Sequence, residues 1–202
     1  MRISSNRKNV AVIAAVALPT TLGCMVYLDV AGSGDEQLLV LLRLTARLAF
    51  MLFLVVFIAR PLRQLVKNPF TRWLLRERRS FGIAFAAVHS VHLGLIAYRF
   101  ATIPGLNYGI AEAIIGGTAY ALMYLMLLTS FDAPARAVGA RNWRRLHKTG
   151  LYFIGAIFLF TLLPEPDQPL LTWERAWFVT LTAAALVVRL TAWLARSNRP
   201  VG

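Results

Sequence analysis

Cysteine is nearly absent. Cys24 stands alone among 202 residues, which rules out an intramolecular disulfide and any cysteine-ligated zinc or iron–sulfur site. What remains for it is the role of a small apolar side chain in a helix. Acids are scarce as well, 9 Asp and Glu against 22 Lys and Arg. The resulting +13 raises nucleic acid as a partner, but the basic residues do not gather along one stripe or in one domain, and that distribution argues against it. Gly-x-Gly-x-x-Gly after a strand, a phosphate-binding loop and His-Glu-x-x-His are all missing. So are an alternating strand pattern, a low-complexity linker and an internal repeat. No stretch reads as a flavin or nicotinamide domain, so a self-sufficient reductase is not expected.

Apolar residues are what the chain has in plenty: 58% are hydrophobic, 15% are charged, and the mean hydropathy is +0.60. Runs near twenty residues, the length that crosses a bilayer, recur at about 10–28, 38–59, 80–98, 108–130, 146–163 and 173–194. The expected fold is an all-α integral membrane protein, one transmembrane domain over 1–202 built as a six-helix bundle in the lipid bilayer. Lys and Arg number three before the first span, seven from Arg60 to Arg79, five from Arg136 to Lys148 and three from Arg189 to Arg199. The intervening loops hold almost none, Arg99 among them, and carry Asp29, Asp35, Glu36 and the acidic PEPDQP. The positive-inside rule then places both termini in the cytoplasm of a bacterial-type inner membrane. Trp73, Trp143, Trp173 and Trp177 fall near span boundaries, as an aromatic belt requires. A basic start before an apolar run also describes a signal peptide, but no small-residue cleavage site stands out, and the first run is expected to be a membrane helix. Gly116 and Gly117, inside the fourth span, suit close helix contact.

The stretch Arg78–His92, RRSFGIAFAAVHSVH, carries two of the three histidines. An ionisable side chain in an apolar span is expensive to hold and by default marks a functional site. His92 lies thirteen residues past Arg79, about 20 Å along the helix, with His89 on the same side one turn shallower. Imidazole is a common haem ligand; the alternative is a histidine satisfied by a neighbouring carbonyl or water. Arg47, thirteen residues before Arg60, reaches a similar depth and calls for an anion such as a haem propionate, or for a quinone headgroup dipole. Arg43 and Arg47 can instead snorkel to phosphates. His147, in NWRRLHKTGLYF, sits at the mouth of the fifth span, three residues past Arg144. Two imidazoles sharing an iron need nearly equal depth, and ten positions separate these two levels, about 15 Å. Met123 and Met126 are soft alternative ligands or core filler.

LTARLAFMLFLVVFIARPLRQL, RRSFGIAFAAVHSVH and WRRLHKTGLYF together resemble the ferric reductase-like transmembrane domain family. The nearest kin are the haem-binding membrane subunits of the bacterial periplasmic methionine sulfoxide reductase system. The resemblance covers about 38–163 and rests on Thr45-x-Arg47, Pro61-Leu62-Arg63, Arg78-Arg79 with Gly82, His92, and Leu146-His147. It implies b-type haem held between helices, with His92 and His147 on iron and His89 and Arg47 beside it. Electrons would pass from a quinol, a flavoprotein or another cytoplasmic donor to a separate redox partner outside. The chain departs from the family pattern at Ala46, where the family has Gly, and at Phe160, where it has a second helix-five histidine. That loss motivates an alternative, a haem-free membrane anchor or assembly partner of the same fold. A small transporter or channel is a weaker alternative, because broken helices and polar faces are lacking.

Overall fold

The computed structural model describes residues 5–107, 109–162 and 173–197, and every regular element among them is a helix. In chain order these are α1 (Ser5–Ala31), α2 (Asp35–Leu65), α3 (Pro69–Thr102), α4 (Ile110–Leu128), α5 (Asp132–Leu162) and α6 (Trp173–Ser197). Arg2, Tyr108, the PEPDQP segment and Arg199 lie outside the described residues. α1, α2, α3, α4 and α6 are each long and apolar enough to cross a membrane. α5 breaks at Gly139 (φ 77°, ψ 155°), a left-handed backbone that glycine adopts without strain. Its apolar part begins only after Arg144, Arg145 and Lys148. The chain is an all-α, multi-pass membrane protein.

The helices outrun their apolar spans. The basic stretch from Arg60 to Arg79 looks like a headgroup-level loop, yet only residues 66–68 interrupt it. The reason is local chemistry rather than hydropathy. Asn68 Oδ1 accepts from the Thr71 backbone N–H at 2.8 Å, Thr71 Oγ1 accepts from the Asn68 N–H at 3.3 Å, and Pro69 opens the first turn. This reciprocal cap satisfies two N–H groups that a helix start leaves orphaned.

Pro61 lies inside α2 and removes the N–H that would bond the Phe57 carbonyl. Arg189 of α6 replaces it, donating from Nη1 to Phe57 O at 2.8 Å. The same guanidinium lies 4.1 Å from the Phe57 ring centre and 4.7 Å from that of Tyr152, and donates to the Tyr152 hydroxyl. One residue earlier on α2, the Val56 carbonyl accepts from Arg78 Nε at 2.9 Å. Arginines from two neighbouring helices thus meet backbone oxygens beside the proline.

α2 and α3 form the central pair, with α1 packed on α3, α6 on α2 and α5 on α4. Their shared core is rich in phenylalanine: Phe50, Phe53, Phe57 and Phe85 are buried with Ala49, Val88, Met123 and Ile154. Gly155 of α5 lets the Phe53 ring approach so closely that a Cβ there would stand 3.3 Å from Cζ. A second cluster of Cys24, Leu38, Leu41 and Leu95 joins α1, α2 and α3, so Cys24 is the buried apolar residue expected. On the basic side the α4–α5 turn is tied down by its Ser130 carbonyl, which accepts from Asn9 Nδ2 at 2.8 Å and from Arg79. On the opposite side Arg99 Nη2 meets Asp35 Oδ2 at 3.0 Å, beyond the apolar spans. Hydrogen bonding to Arg99 holds the Asp35 carboxyl below the usual carboxylate range.

Candidate functional site

His92 points from α3 toward α2, where Thr45 Oγ1 lies 2.9 Å from its Nδ1. A threonine hydroxyl has one hydrogen, and here it goes back along the helix to the carbonyls of Leu41 and Leu42, at 2.8 and 3.2 Å. With that hydrogen on the carbonyls, Oγ1 is left to accept from Nδ1–H and the Leu42 carbonyl is a second acceptor for the ring, the tautomer that leaves the lone pair on Nε2. Metal-ligating histidines are oriented in this way, one ring nitrogen donating to a fixed partner and the other free to bind. His89 stacks on His92 with ring centres 5.2 Å apart and planes 10° from parallel. Phe85, Tyr120 and Phe158 surround His89 at 5.2, 5.0 and 6.0 Å. Its Nδ1 is buried and has no hydrogen-bond partner among the described residues.

His147 occupies a different place. It lines a cavity of about 870 Å³ on the basic side, walled by Phe53, Phe57, Phe85 and Leu151 and rimmed by Arg78, Arg79 and Arg189. That volume lies in the range of small-molecule and cofactor sites. Gly82 shares the cavity. With Phe85 and Ala86 it places on the cavity wall the part of α3 that lies six to ten residues before His92. Met123 and Met126 line the same cavity, and Met126 packs over Gly150 of α5.

The His147 ring stacks on Trp143, one turn earlier, at 4.2 Å. Its Nε2 lies 3.1 Å from Thr129 Oγ1. The Thr129 hydroxyl donates to Leu125 O at 2.7 Å, so here Nε2–H is the donor and Nδ1 holds the lone pair. Trp143 Nε1 closes the set by donating to the Thr129 carbonyl at 3.0 Å. Both histidines are thus held by a threonine hydroxyl, in opposite tautomers.

Four site residues are expected from the sequence, and only His89 and His92 come together in ring contact. His147 lies apart from them, and Phe85, which both lines the cavity and stacks on His89, spans the gap. Arg47 is directed elsewhere, its guanidinium 5.6 Å from the Phe178 ring of α6. Two helix positions beyond Thr45 it is turned about 200° away from it. The helix-five position opposite the histidines is not Phe160, which is 69% exposed, but Phe158, packed against His89, Phe50, Phe53 and Phe85. Thr129, Trp143, Phe85 and Arg189 escape the sequence reading as site residues. Trp143 alone had a signal, its spacing of four from His147. Among the described residues no three His, Cys, Asp or Glu side chains cluster as a metal site.

The chain matches no family model and no solved structure. It is similar to proteins named protein-methionine-sulfoxide reductase haem-binding subunit MsrQ. In Cronobacter sakazakii the identity is 28% over 137 residues, 63% of this chain and 66% of the relative. In Azospira oryzae it is 32% over 102 residues, covering 48% and 42%. In Polaromonas naphthalenivorans it is 30% over 115 residues, covering 52% and 48%. The chain therefore spans between 42% and 66% of the length of the relatives it matches. With its five apolar membrane-crossing helices, it is a multi-pass inner-membrane protein of the bacterial type.

Proposed function

We propose that this chain is a haem-binding electron-transfer subunit of the inner membrane, with His92 as an iron ligand. The observation that carries the proposal is the Thr45–His92 hydrogen bond, which presents Nε2 as a ligand inside an otherwise apolar core. Haem fits the cavity at His147, which His92 does not line. The cavity at His147 has a suitable volume, aromatic and aliphatic walls, and arginines at its rim to meet two propionates. The orphaned Nδ1 of His89 beside His92 is a second polar atom that the fold leaves without a partner among the described residues.

In this reading His92 and His147 would hold iron, and His89 lies against His92. A haem bound at such sites supplies a one-electron couple, tuned by its axial ligands. The residues of the chain orient those ligands and exclude water. Thr45 and Thr129 fix the imidazoles through their Nδ1 and Nε2 hydrogens, and Phe53, Phe57 and Phe85 keep the space between them dry. With Nε2–H held by Thr129, His147 would offer Nδ1 to a metal. Electrons enter from a cytoplasmic or quinol donor and leave to a separate acceptor outside, a methionine-sulfoxide-reducing partner by analogy with the names of the relatives. Thr45→Val removes the side-chain acceptor for the His92 ring with little change of shape and leaves the Leu42 carbonyl. It is expected to lower haem affinity about 10- to 100-fold, as loss of an outer partner of a ligand does, read by haem titration of detergent-purified protein.

A haem-free membrane anchor of the same fold is the second reading, favoured by the packing of Phe158 across from His89. An oxidised-minus-reduced absorption spectrum separates the two. A Soret band with visible bands that sharpen on reduction supports the haem subunit. A colourless preparation, made with haem in full supply, supports the anchor.

A further inference from the structure

A second, smaller cavity lies between the ends of α2 and α6 on the basic side. Its volume is about 300 Å³, and Arg63, Gln64, Lys67 and Arg196 line it with Leu65, Ala192 and Ala195. No acid is among them. Two of its polar atoms, Arg63 Nη1 and Gln64 Oε1, are buried and lack a hydrogen-bond partner among the described residues. A buried donor on a cation and a buried acceptor on an amide each cost free energy when left alone. Both on residues that line this cavity, they ask for a ligand with an anionic oxygen for the guanidinium and a hydroxyl hydrogen for the amide.

Helix dipoles alone do not account for the charge. α2 and α6 both end here, and each C-terminus contributes roughly half a negative charge. Arg63, Lys67 and Arg196 bring three positive charges. Arg196 Nε turns back to the Ala192 carbonyl at 3.4 Å, which meets part of the need at α6. A surplus of positive charge faces the cavity.

The position selects the source of the anion. Both helices leave the bilayer at this level, and Leu65, Leu190 and Leu194 expose apolar surface beside the cavity. Phe70 and Trp73, 59% and 41% exposed, stand at the same level on α3, where interfacial aromatics belong. Basic pockets between membrane helices on the cytoplasmic side suit anionic headgroups. We infer that this cavity binds an anionic glycerophospholipid whose headgroup carries hydroxyls, its phosphate on Arg63 and a hydroxyl donating to Gln64. The site gives the Arg63 of the Pro-Leu-Arg element a role separate from haem.

The test uses the full chain purified in detergent and titrated with phosphatidylglycerol, phosphatidic acid, phosphatidylcholine or inorganic phosphate. Binding is read by native mass spectrometry and by the shift of the thermal midpoint. Phosphatidylglycerol is expected to bind and stabilise, phosphatidic acid less because it lacks headgroup hydroxyls, and phosphatidylcholine least. Arg63→Gln should weaken phosphatidylglycerol roughly fivefold, the worth of one cation at a membrane surface, and leave the haem spectrum unchanged. Ala195→Leu fills the cavity without touching a charge and should weaken it comparably, which covers the case in which Arg63→Gln fails to fold. Equal binding of phosphatidylglycerol and phosphatidylcholine overturns the proposal, as does full retention in Ala195→Leu. Equal protection by inorganic phosphate assigns the site to a soluble anion and overturns the lipid.

Discussion

His92→Ala is expected to strip from the purified protein the share of the Soret absorbance that belongs to its own site, while the helices remain. Thr45 and Leu41 already fix their own hydrogen bond, so removing the ring leaves an aromatic-walled gap rather than an unpaired charge. Free imidazole added to the variant should restore absorbance, a rescue that a merely unfolded protein would not show. His89→Ala is expected to keep the band, because His89 stacks on the ligand without a Thr45 of its own. His147→Ala reports on the other site. If it removes absorbance and His92→Ala does not, the iron sits only in the cavity beside Met126 and Gly82, and the assignment of His92 falls.

The second large effect concerns Arg189. Arg189→Met leaves the Phe57 carbonyl with neither its helical donor nor its substitute, and takes the cation from the faces of Phe57 and Tyr152. A charged hydrogen bond and a half-buried cation–π contact together stand for about 2–4 kcal/mol, a fall of roughly 10 °C in thermal midpoint for a chain this long. The same substitution in a Pro61→Ala background should cost far less, about 1–2 kcal/mol, because replacing the proline returns a backbone N–H to Phe57 O and couples the two sites. Equal losses in both backgrounds, measured by thermal unfolding in detergent, would show that the carbonyl is not what Arg189 serves.

The membrane class and the number of helices were legible because apolar runs of bilayer length leave few alternatives. The helix ends were not. Hydropathy marks where lipid stops, whereas Asn68, Pro69 and Thr71 mark where α3 begins, and the cap outranks the charge run that follows. Part of the site was open to helical arithmetic. Eleven residues make three turns, so Phe158 returns to the face of His147, and thirteen fall about 140° short of four turns, which turns Phe160 outward. The same arithmetic separates Arg47 from Thr45. What no spacing revealed is the pairing of Thr45 with His92, 47 residues apart on different helices. Nor could it reveal that Thr129 reverses the tautomer at His147, since a hydroxyl's direction depends on which backbone oxygen it finds first.

Three residues, 66–68, join α2 to α3, and this brevity bears on the order of assembly. Closing so short a connection costs little chain entropy, and the two helices pack on each other more extensively than any other pair. They form a hairpin whose contacts are local in sequence, the kind that settles early. α6 reaches α2 only after more than a hundred intervening residues. His92 and Thr45 both belong to the hairpin, whereas His147, Trp143 and Arg189 arrive with later segments. The His92 imidazole is therefore turned and its proton assigned when only the α2 and α3 walls of the cavity exist, before α4, α5 and α6 close it, so a prosthetic group could meet an oriented ligand on a half-built protein.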